Sequence, residues 1–204
     1  YNSFCMITPK RVFDLFFSIL GLVILFPVTG MTALLIWLTG EGPVFFVQER
    51  VGIHGKPFNL LKFRTMKVDR QAGYGRFDPG DTSRVTTLGR FLRKYKLDEL
   101  PQLINVVRGE MSLVGPRPEV RKWVSVYPEQ WNKILTVLPG ITDNASVMFR
   151  NEEELLHSSD NPDQLYREVV LPRKLSLYEE YVKHSSLKGD ILLIFRTIYC
   201  CLFK

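Results

Sequence analysis

Residues 15–38 read LFFSILGLVILFPVTGMTALLIWL, and this stretch decides the fold because none of its 24 residues is charged. Roughly 20 helical residues cross the hydrocarbon core of a bilayer, so the stretch is long enough for a membrane segment. It is longer than the apolar region of a signal peptide, and no small-x-small cleavage site follows it. A soluble helix of this length would carry a polar face, which this stretch lacks. The sequence therefore predicts attachment to a membrane.

Two membrane topologies remain open from the residues alone: a spanning helix, and a hairpin that enters and leaves by one face. The length of the stretch favours spanning. Pro27, near its middle, removes a backbone donor and predicts a break in the helix. Basic residues flank both ends, Lys10 and Arg11 before it and Arg50 and Lys56 after it. Positive charge marks the cytoplasmic side, so this symmetry fits best with both ends in the cytoplasm.

The chain beyond the apolar stretch begins with the pattern of a β-hairpin. Residues 44–47 and 58–63 have strand composition, and a turn with Gly52 and Gly55 joins them. Residues 67–84 are polar and rich in Gly and Asp, which predicts a surface loop.

The remaining segments are predicted to be mainly helical. Residues 87–108 have helical spacing with a bend at Pro101, and Pro139 and Gly140 interrupt the chain further on. Residues 151–181 are mainly helical. Residues 190–203 predict an amphipathic helix that either docks on the core or lies on the membrane surface.

Two neighbouring carboxylates, Asp98 and Glu99, lie inside the apolar segment 96–101, KLDELP. Neighbouring helical side chains diverge by roughly 100°, so the pair is not expected to share one proton. One carboxylate could attack or accept a proton while the other holds a metal. The alternative is a structural pair that satisfies free amides at a helix start beside Pro101.

Cations surround this pair in the sequence and favour the chemical interpretation. A carboxylate and a phosphate 4 Å apart repel by about 4 kcal/mol at an effective dielectric near 20, so an attack needs cations or a divalent ion. Arg117 is held between Pro116 and Pro118, which should orient its guanidinium. For Lys94, Arg121 and Lys122 we keep the alternative interpretation, in which they are solvent-exposed surface charges.

Several other functions lack their sequence signals. The chain has three cysteines without a CxxC pair, three separated histidines, and no Walker A, GxGxxG or GxSxG motif. A net charge of +6 favours anionic partners such as nucleic acid, acidic lipids or phosphorylated molecules.

Several motifs together resemble one family, the bacterial sugar transferases known as monotopic phosphoglycosyl transferases. They are GPVFF at 42–46, QERVG at 48–52, KFRTM at 62–66, LDELPQL at 97–103, RGEMSLV at 108–114, GPRPE at 115–119 and PGIT at 139–142. Phe26 stands where the family often has Ser before the membrane proline. Residues 143–146 read DNAS, where many members have Gly-Trp-Ala-Gln.

The resemblance implies a role for each motif residue. Asp98 would be the nucleophile that attacks the β-phosphate of a UDP-sugar and releases UMP. Glu99, with Asp98, would help to hold Mg²⁺, and polyprenyl phosphate, usually undecaprenyl phosphate, would then accept the phosphosugar. Pro27 would mark the membrane break. The residues assigned to substrate or phosphate binding are Lys62, Arg64, Arg93, Pro116, Arg117, Pro118 and Arg150.

The predicted fold is α/β, mostly helical with a small β-hairpin. The resemblance implies a re-entrant helix-break-helix anchor at 1–41 and a cytosolic catalytic domain at 42–204 with a C-terminal interfacial helix. The expected location is the cytoplasmic face of the bacterial inner membrane, in contact with membrane lipid and with a homodimer as one option. Competing hypotheses are a non-catalytic adaptor that binds phosphorylated lipid and a nucleic-acid binder, which the apolar anchor disfavours.

Overall fold

The protein is represented by a computed structural model that describes residues 8–39, 42–67 and 84–203. Over this part of the chain the fold is mostly helical with two small sheets, as the sequence predicts for the helices and for the hairpin. Except for Lys67 and Arg84, the surface loop expected at 67–84 lies outside the described residues.

The apolar stretch forms two helices, α1 (Pro9–Ile24) and α2 (Phe26–Leu38), which are bent by 61°. They meet at Leu25, and Pro27 lies in the first turn of α2, where a missing amide proton costs no hydrogen bond. No single described helix is long and apolar enough to cross a membrane; this bent pair satisfies length and composition together.

The helix pair has an inverted distribution of polar and apolar side chains. Its buried positions include three polar residues, Asp14, Ser18 and Thr32, together with Ile36. Its exposed positions are large apolar side chains: Phe16, Val23, Ile24, Phe26, Met31, Trp37 and Leu38. An exposed apolar surface of this kind marks a protein or membrane contact.

The predicted hairpin pairs β1 (Phe45–Val51) with β2 (Pro57–Phe63) in antiparallel register. A second sheet of two parallel strands, β3 (Ser112–Val114) and β4 (Gly140–Thr142), was not expected from the sequence. Its strands contain three residues each, which is too short for a strand pattern to emerge.

The single helical segment expected at 87–108 is divided into three pieces. Helix α3 (Thr87–Lys94) ends before Lys96, whose φ of 57° places it in the left-handed region. A single 3₁₀ turn (Leu97–Glu99) follows, here called the dyad turn. Helix α4 (Gln102–Arg108) begins after Pro101, so the break is earlier in the chain than the proline alone predicts.

The C-terminal half is a helical layer around one apolar core. Trp131 and Tyr166 are its largest fully buried side chains, and Leu171 and Leu175 pack with them. A π-helical turn (Tyr166–Val170) leads directly into the helix that begins at Leu171. The helices of this layer are α5 (Arg121–Val124), α6 (Pro128–Ile134), α7 (Asn144–Met148), α8 (Glu152–His157), α9 (Pro162–Leu165) and α10 (Leu171–His184). The last helix, α11 (Leu187–Leu202), contacts α7 and the parallel sheet.

A smaller core connects the helix pair to the rest of the chain. Ile36 of α2, Phe63 of β2 and Leu92 of α3 are buried together, and Leu97 and Leu100 pack against them. The dyad turn is therefore anchored by apolar side chains on either side of the two carboxylates. This cluster positions the carboxylates next to the apolar helix pair.

Candidate active site

Asp98 and Glu99 are both buried, with exposed fractions of 6% and 8%. Within the described residues, neither carboxylate accepts a hydrogen bond from a backbone amide, and α4 has no side-chain cap at its N-terminus. The structural alternative, in which the pair caps a helix, is therefore not realised. Burying two acidic groups is costly unless cations or ligands compensate them.

Glu99 is compensated by two cations from distant parts of the chain. Lys62 Nζ lies 2.9 Å and Arg117 Nη2 lies 2.5 Å from the same oxygen, Glu99 Oε1. A longer contact of 3.4 Å joins Arg117 Nη1 to Glu99 Oε2. Burial raises the pKa of Glu99, but Arg117 and Lys62 outweigh it and hold the pKa well below its usual range. Glu99 is thus ionised and paired.

Asp98, the residue directly before Glu99, has a different environment. Its Oδ1 is buried without a hydrogen-bond partner in the described part of the chain. Burial raises the pKa of Asp98, and Lys62 opposes the rise. The two carboxylates therefore have separate roles available to them: one is occupied by cations, while the other keeps an uncommitted oxygen.

The loop that carries Arg117 is held rigidly on both sides. Pro116 O accepts a 2.9 Å hydrogen bond from Gly140 N, and Pro118 O accepts a 3.1 Å bond from Arg50 Nη1. Pro116 and Pro118 are themselves buried. Their backbone carbonyls fix the loop, which is how this proline pair contributes to the site.

A buried polar network behind this loop was not identified from the sequence as part of the site. Glu119 Oε1 accepts a 2.9 Å hydrogen bond from Tyr166 Oη, and Glu119 Oε2 lies 3.5 Å from Arg50 Nη1. Arg50 also donates to Gln48 Oε1 through Nε and Nη2. The motifs contain Arg50 and Glu119, but no local pattern links them to Tyr166, 47 residues further along the chain.

The other predicted binding residues, Arg93, Arg64 and Arg150, have different environments. Arg93 Nε donates to Thr65 Oγ1 at 3.0 Å. Arg64 is directed to the end of α2, where its Nη2 donates to Ile36 O and Thr39 Oγ1. Arg150 makes no hydrogen bond or ion pair with the described residues. The structure thus brings Lys62 and Arg117 to Glu99, and uses Arg64 to hold the helix pair.

The residues present could hold a magnesium ion only in part. The described ranges contain no group of three or more His, Cys, Asp or Glu residues that could hold a metal. Mg²⁺, however, is commonly bound by one or two carboxylates together with substrate phosphates and waters. Asp98 Oδ1 is available for that role, and Glu99 is available mainly through Oε2. The pair fits an ion that a phosphorylated substrate helps to hold.

A buried carboxylate pair beside partly buried cations, next to an exposed apolar helix pair, fits an enzyme site for phosphorylated substrates in an apolar surrounding. The chain matches a family model described as bacterial sugar transferase over residues 5–204. The protein therefore belongs to the bacterial sugar transferase family, which confirms the resemblance found in the motifs. Its relatives are named sugar-phosphate transferases, so the protein is assigned to this class of enzyme.

Three relatives illustrate the range of the family. The chain is 41% identical to the undecaprenyl-phosphate glucose phosphotransferase of Komagataeibacter xylinus, with 93% of this chain and 35% of that protein covered. It is 34% identical to the UDP-glucose:undecaprenyl-phosphate glucose-1-phosphate transferase of Escherichia coli, with 93% and 39% covered. It is 33% identical to the exopolysaccharide production protein ExoY of Sinorhizobium fredii, with 93% and 83% covered. The chain thus spans well under half of the first two relatives.

Proposed function

We propose that this chain transfers a sugar 1-phosphate from a UDP-sugar to undecaprenyl phosphate, releases UMP, and thereby starts glycoconjugate synthesis at the membrane. The names of the relatives support the acceptor and the type of reaction. The observation that carries the proposal is the buried Oδ1 of Asp98, which has no partner in the described residues although cations surround the dyad turn.

The reaction proceeds in two displacements at phosphorus. In the first, an Asp98 oxygen forms a bond to the β-phosphorus of the donor. The bond from that phosphorus to the bridging oxygen breaks, and UMP leaves with the oxygen. In the second, a phosphate oxygen of the lipid attacks the same phosphorus, and the Asp98 carboxylate leaves. Nucleophilic catalysis thus divides one exchange between two anions into two steps.

The other residues of the site are proposed to compensate negative charge. Lys62 and Arg117 neutralise Glu99, so that a second buried carboxylate does not repel the incoming diphosphate. Arg93 and Arg150 are proposed to contact phosphate or nucleotide. Asp98 and Glu99 would hold Mg²⁺ together with the donor, and the ion would supply charge stabilisation at the diphosphate.

The helix pair is proposed to enter and leave the membrane by the cytoplasmic face. Both of its ends contact the same domain, which supports a hairpin over a spanning helix. At the start of α1, Lys10 Nζ donates to Val114 O and lies 2.5 Å from Asp190 Oδ2. At the end of α2, Arg64 donates to Thr39 Oγ1 at 3.0 Å. The amphipathic α11 is proposed to lie at the membrane interface.

Topology can be tested with tags in the bacterial inner membrane. Tags placed before Lys10 and after Lys204 are expected to be inaccessible from outside intact spheroplasts. An N-terminal tag that is labelled from outside would show that the helix pair spans the bilayer.

The reaction can be tested with membrane fractions, undecaprenyl phosphate, Mg²⁺ and a panel of UDP-sugars, scored by UMP release. Intact-mass measurement after donor alone should find one phosphosugar attached to the protein. Asp98→Asn should abolish both signals, whereas Asp163→Asn, which alters a surface ion pair with Lys122, should change neither. Full UMP release by Asp98→Asn would exclude the covalent mechanism, and lipid binding without UMP release would indicate an adaptor.

A further inference from the structure

Lys96 has a backbone conformation that side-chain-bearing residues rarely adopt. Its φ is 57° and its ψ is 21°, in the left-handed region where glycine is favoured. Its amide donates to Arg93 O and its carbonyl accepts from Glu99 N, both at 3.2 Å. Lys96 is thus the corner at which the chain leaves α3 and enters the dyad turn.

A glycine would serve this corner better if only the turn mattered. At the end of α4, the same left-handed conformation is adopted by Gly109, with a φ of 86°. Unfavourable backbone conformations persist where the surrounding structure imposes them, and they concentrate at functional sites. The lysine at this corner is thus a candidate for a function of its side chain.

The side chain of Lys96 is exposed and is not engaged elsewhere in the described part of the chain. It makes no hydrogen bond or ion pair there, whereas Lys62 and Arg117 are both bound to Glu99. Its neighbour Lys94 has its ammonium 5.4 Å from the centre of the Tyr95 ring. Lys96 thus offers an uncommitted positive charge two residues before Asp98.

The positive charge of Lys96 affects the pKa of one group in the dyad turn and of one group in α11. Burial raises the pKa of Asp98, and Lys96 is among the cations that oppose this rise, after Lys62. Burial likewise raises the pKa of the Cys201 thiol in α11, and Lys96 is the first cation that opposes it. Lys96 is also the N-cap residue of the dyad turn, so its exposed side chain leaves the backbone two residues before Asp98.

We infer that Lys96 is a substrate-contacting residue that binds a phosphate group as it approaches Asp98. The inference rests on the proposed function, because it assigns this lysine to one of the two phosphorylated substrates. Lys62 and Arg117 are both bound to Glu99, so Lys96 would join Arg93 and Arg150 in offering positive charge to an incoming phosphate. A lysine supplies a mobile point charge suited to this task.

Binding measurements can distinguish phosphate binding by the Lys96 side chain from an effect of the Lys96 backbone conformation. The full chain in nanodiscs is titrated with UDP, which carries the diphosphate of the donor, and separately with undecaprenyl phosphate. Lys96→Gln removes the charge and keeps a side chain, Lys96→Gly removes the charge and suits the backbone, and Lys96→Arg keeps the charge. Lys94→Gln is the matched control, since it removes an exposed charge from the same segment.

The expected result is a roughly tenfold or larger rise in Kd for one of the two ligands in both Lys96→Gln and Lys96→Gly. Lys96→Arg and Lys94→Gln should bind like the wild type, and the affected ligand identifies the phosphate. Wild-type binding by Lys96→Gly would overturn the inference, as would unchanged binding in both neutral variants or no binding by the wild type. Normal binding without UMP release would instead refute the proposed function and leave the result for Lys96 standing.

Discussion

Asp14 in the apolar helix α1 accepts a 2.7 Å hydrogen bond at Oδ2 from the hydroxyl of Ser112 in strand β3. Its other oxygen, Oδ1, accepts from the amide of Leu113 at 3.2 Å. Asp14 is only 1% exposed, so its carboxylate forms a buried joint between α1 and β3. Strand β3 leads directly to the loop of Arg117. The joint therefore connects the apolar helix pair to the Arg117 loop.

Breaking this joint should loosen the helix pair from the domain. Asp14→Ala leaves the half-buried Leu113 amide without its acceptor and removes one partner of the buried Ser112 hydroxyl, and we expect a loss of about 2 kcal/mol in stability. Thermal unfolding in detergent measures the effect. Asp163→Ala, at an exposed surface pair, should cost less than about 0.5 kcal/mol. Equal unfolding temperatures for the two variants would contradict the structural role of Asp14.

Tyr166 tests the buried network behind the Arg117 loop. Tyr166→Phe removes the hydroxyl that donates to Glu119 and leaves the ring in place. Because the acceptor is a buried carboxylate, we expect a destabilisation of about 2 kcal/mol, together with lower UMP release. Tyr127→Phe is the matched control, since it removes an exposed hydroxyl that donates to Arg167 O. If both variants had the same stability and the same UMP release, the buried network would have no specific role at the site.

Gly140 tests the close approach of the two chain segments that form the short parallel sheet. A Cβ at position 140 would lie 2.1 Å from Gly115 N, which neither backbone can accommodate without moving. Gly140→Ala should therefore displace the Arg117 loop and reduce UMP release at least tenfold. Gly30→Ala places a Cβ in open space on α2 and should retain activity. Normal activity in Gly140→Ala would show that the loop tolerates the displacement.

The sequence predicted the parts of the molecule that local patterns encode. The bent apolar segment, the hairpin and the carboxylate pair follow from composition and spacing along the chain. The partners of buried charges do not, because each lies far away in the sequence: Glu99 meets Lys62 and Arg117, and Lys10 meets Asp190. The left-handed corner at Lys96 was also hidden, since its residue type does not signal that conformation.

The state of Asp98 makes the first displacement sensitive to pH. In the proposed mechanism the attacking group is the carboxylate of Asp98, so UMP release should slow as pH falls through the raised pKa of Asp98. Lys62 is the leading cation that opposes the rise, and Lys62→Met should move this acidic limb to higher pH. Single-turnover UMP release measured across pH locates this acidic limb of the pH–rate profile. Lys122→Met, which alters a surface pair, should leave it in place. If the acidic limb of Lys62→Met stayed at the wild-type pH, the claim that Lys62 lowers the pKa of Asp98 would be contradicted.

The same burial predicts that Asp98, the proposed nucleophile, lowers the stability of the fold at neutral pH. Burial raises the pKa of Asp98, so protonated Asp98 contributes stability below its unfolded pKa of about 3.9, and this contribution is lost as pH rises through the folded value. At neutral pH the wild type therefore carries a buried ionised group, which Asp98→Asn replaces with a neutral one. We expect the variant to unfold about 3 °C higher at pH 7.5, with the difference shrinking on acidification. Thermal unfolding from pH 4 to pH 8 measures this, with Asp163→Asn as the exposed control; a lower unfolding temperature for Asp98→Asn at pH 7.5 would show that the carboxylate stabilises the site.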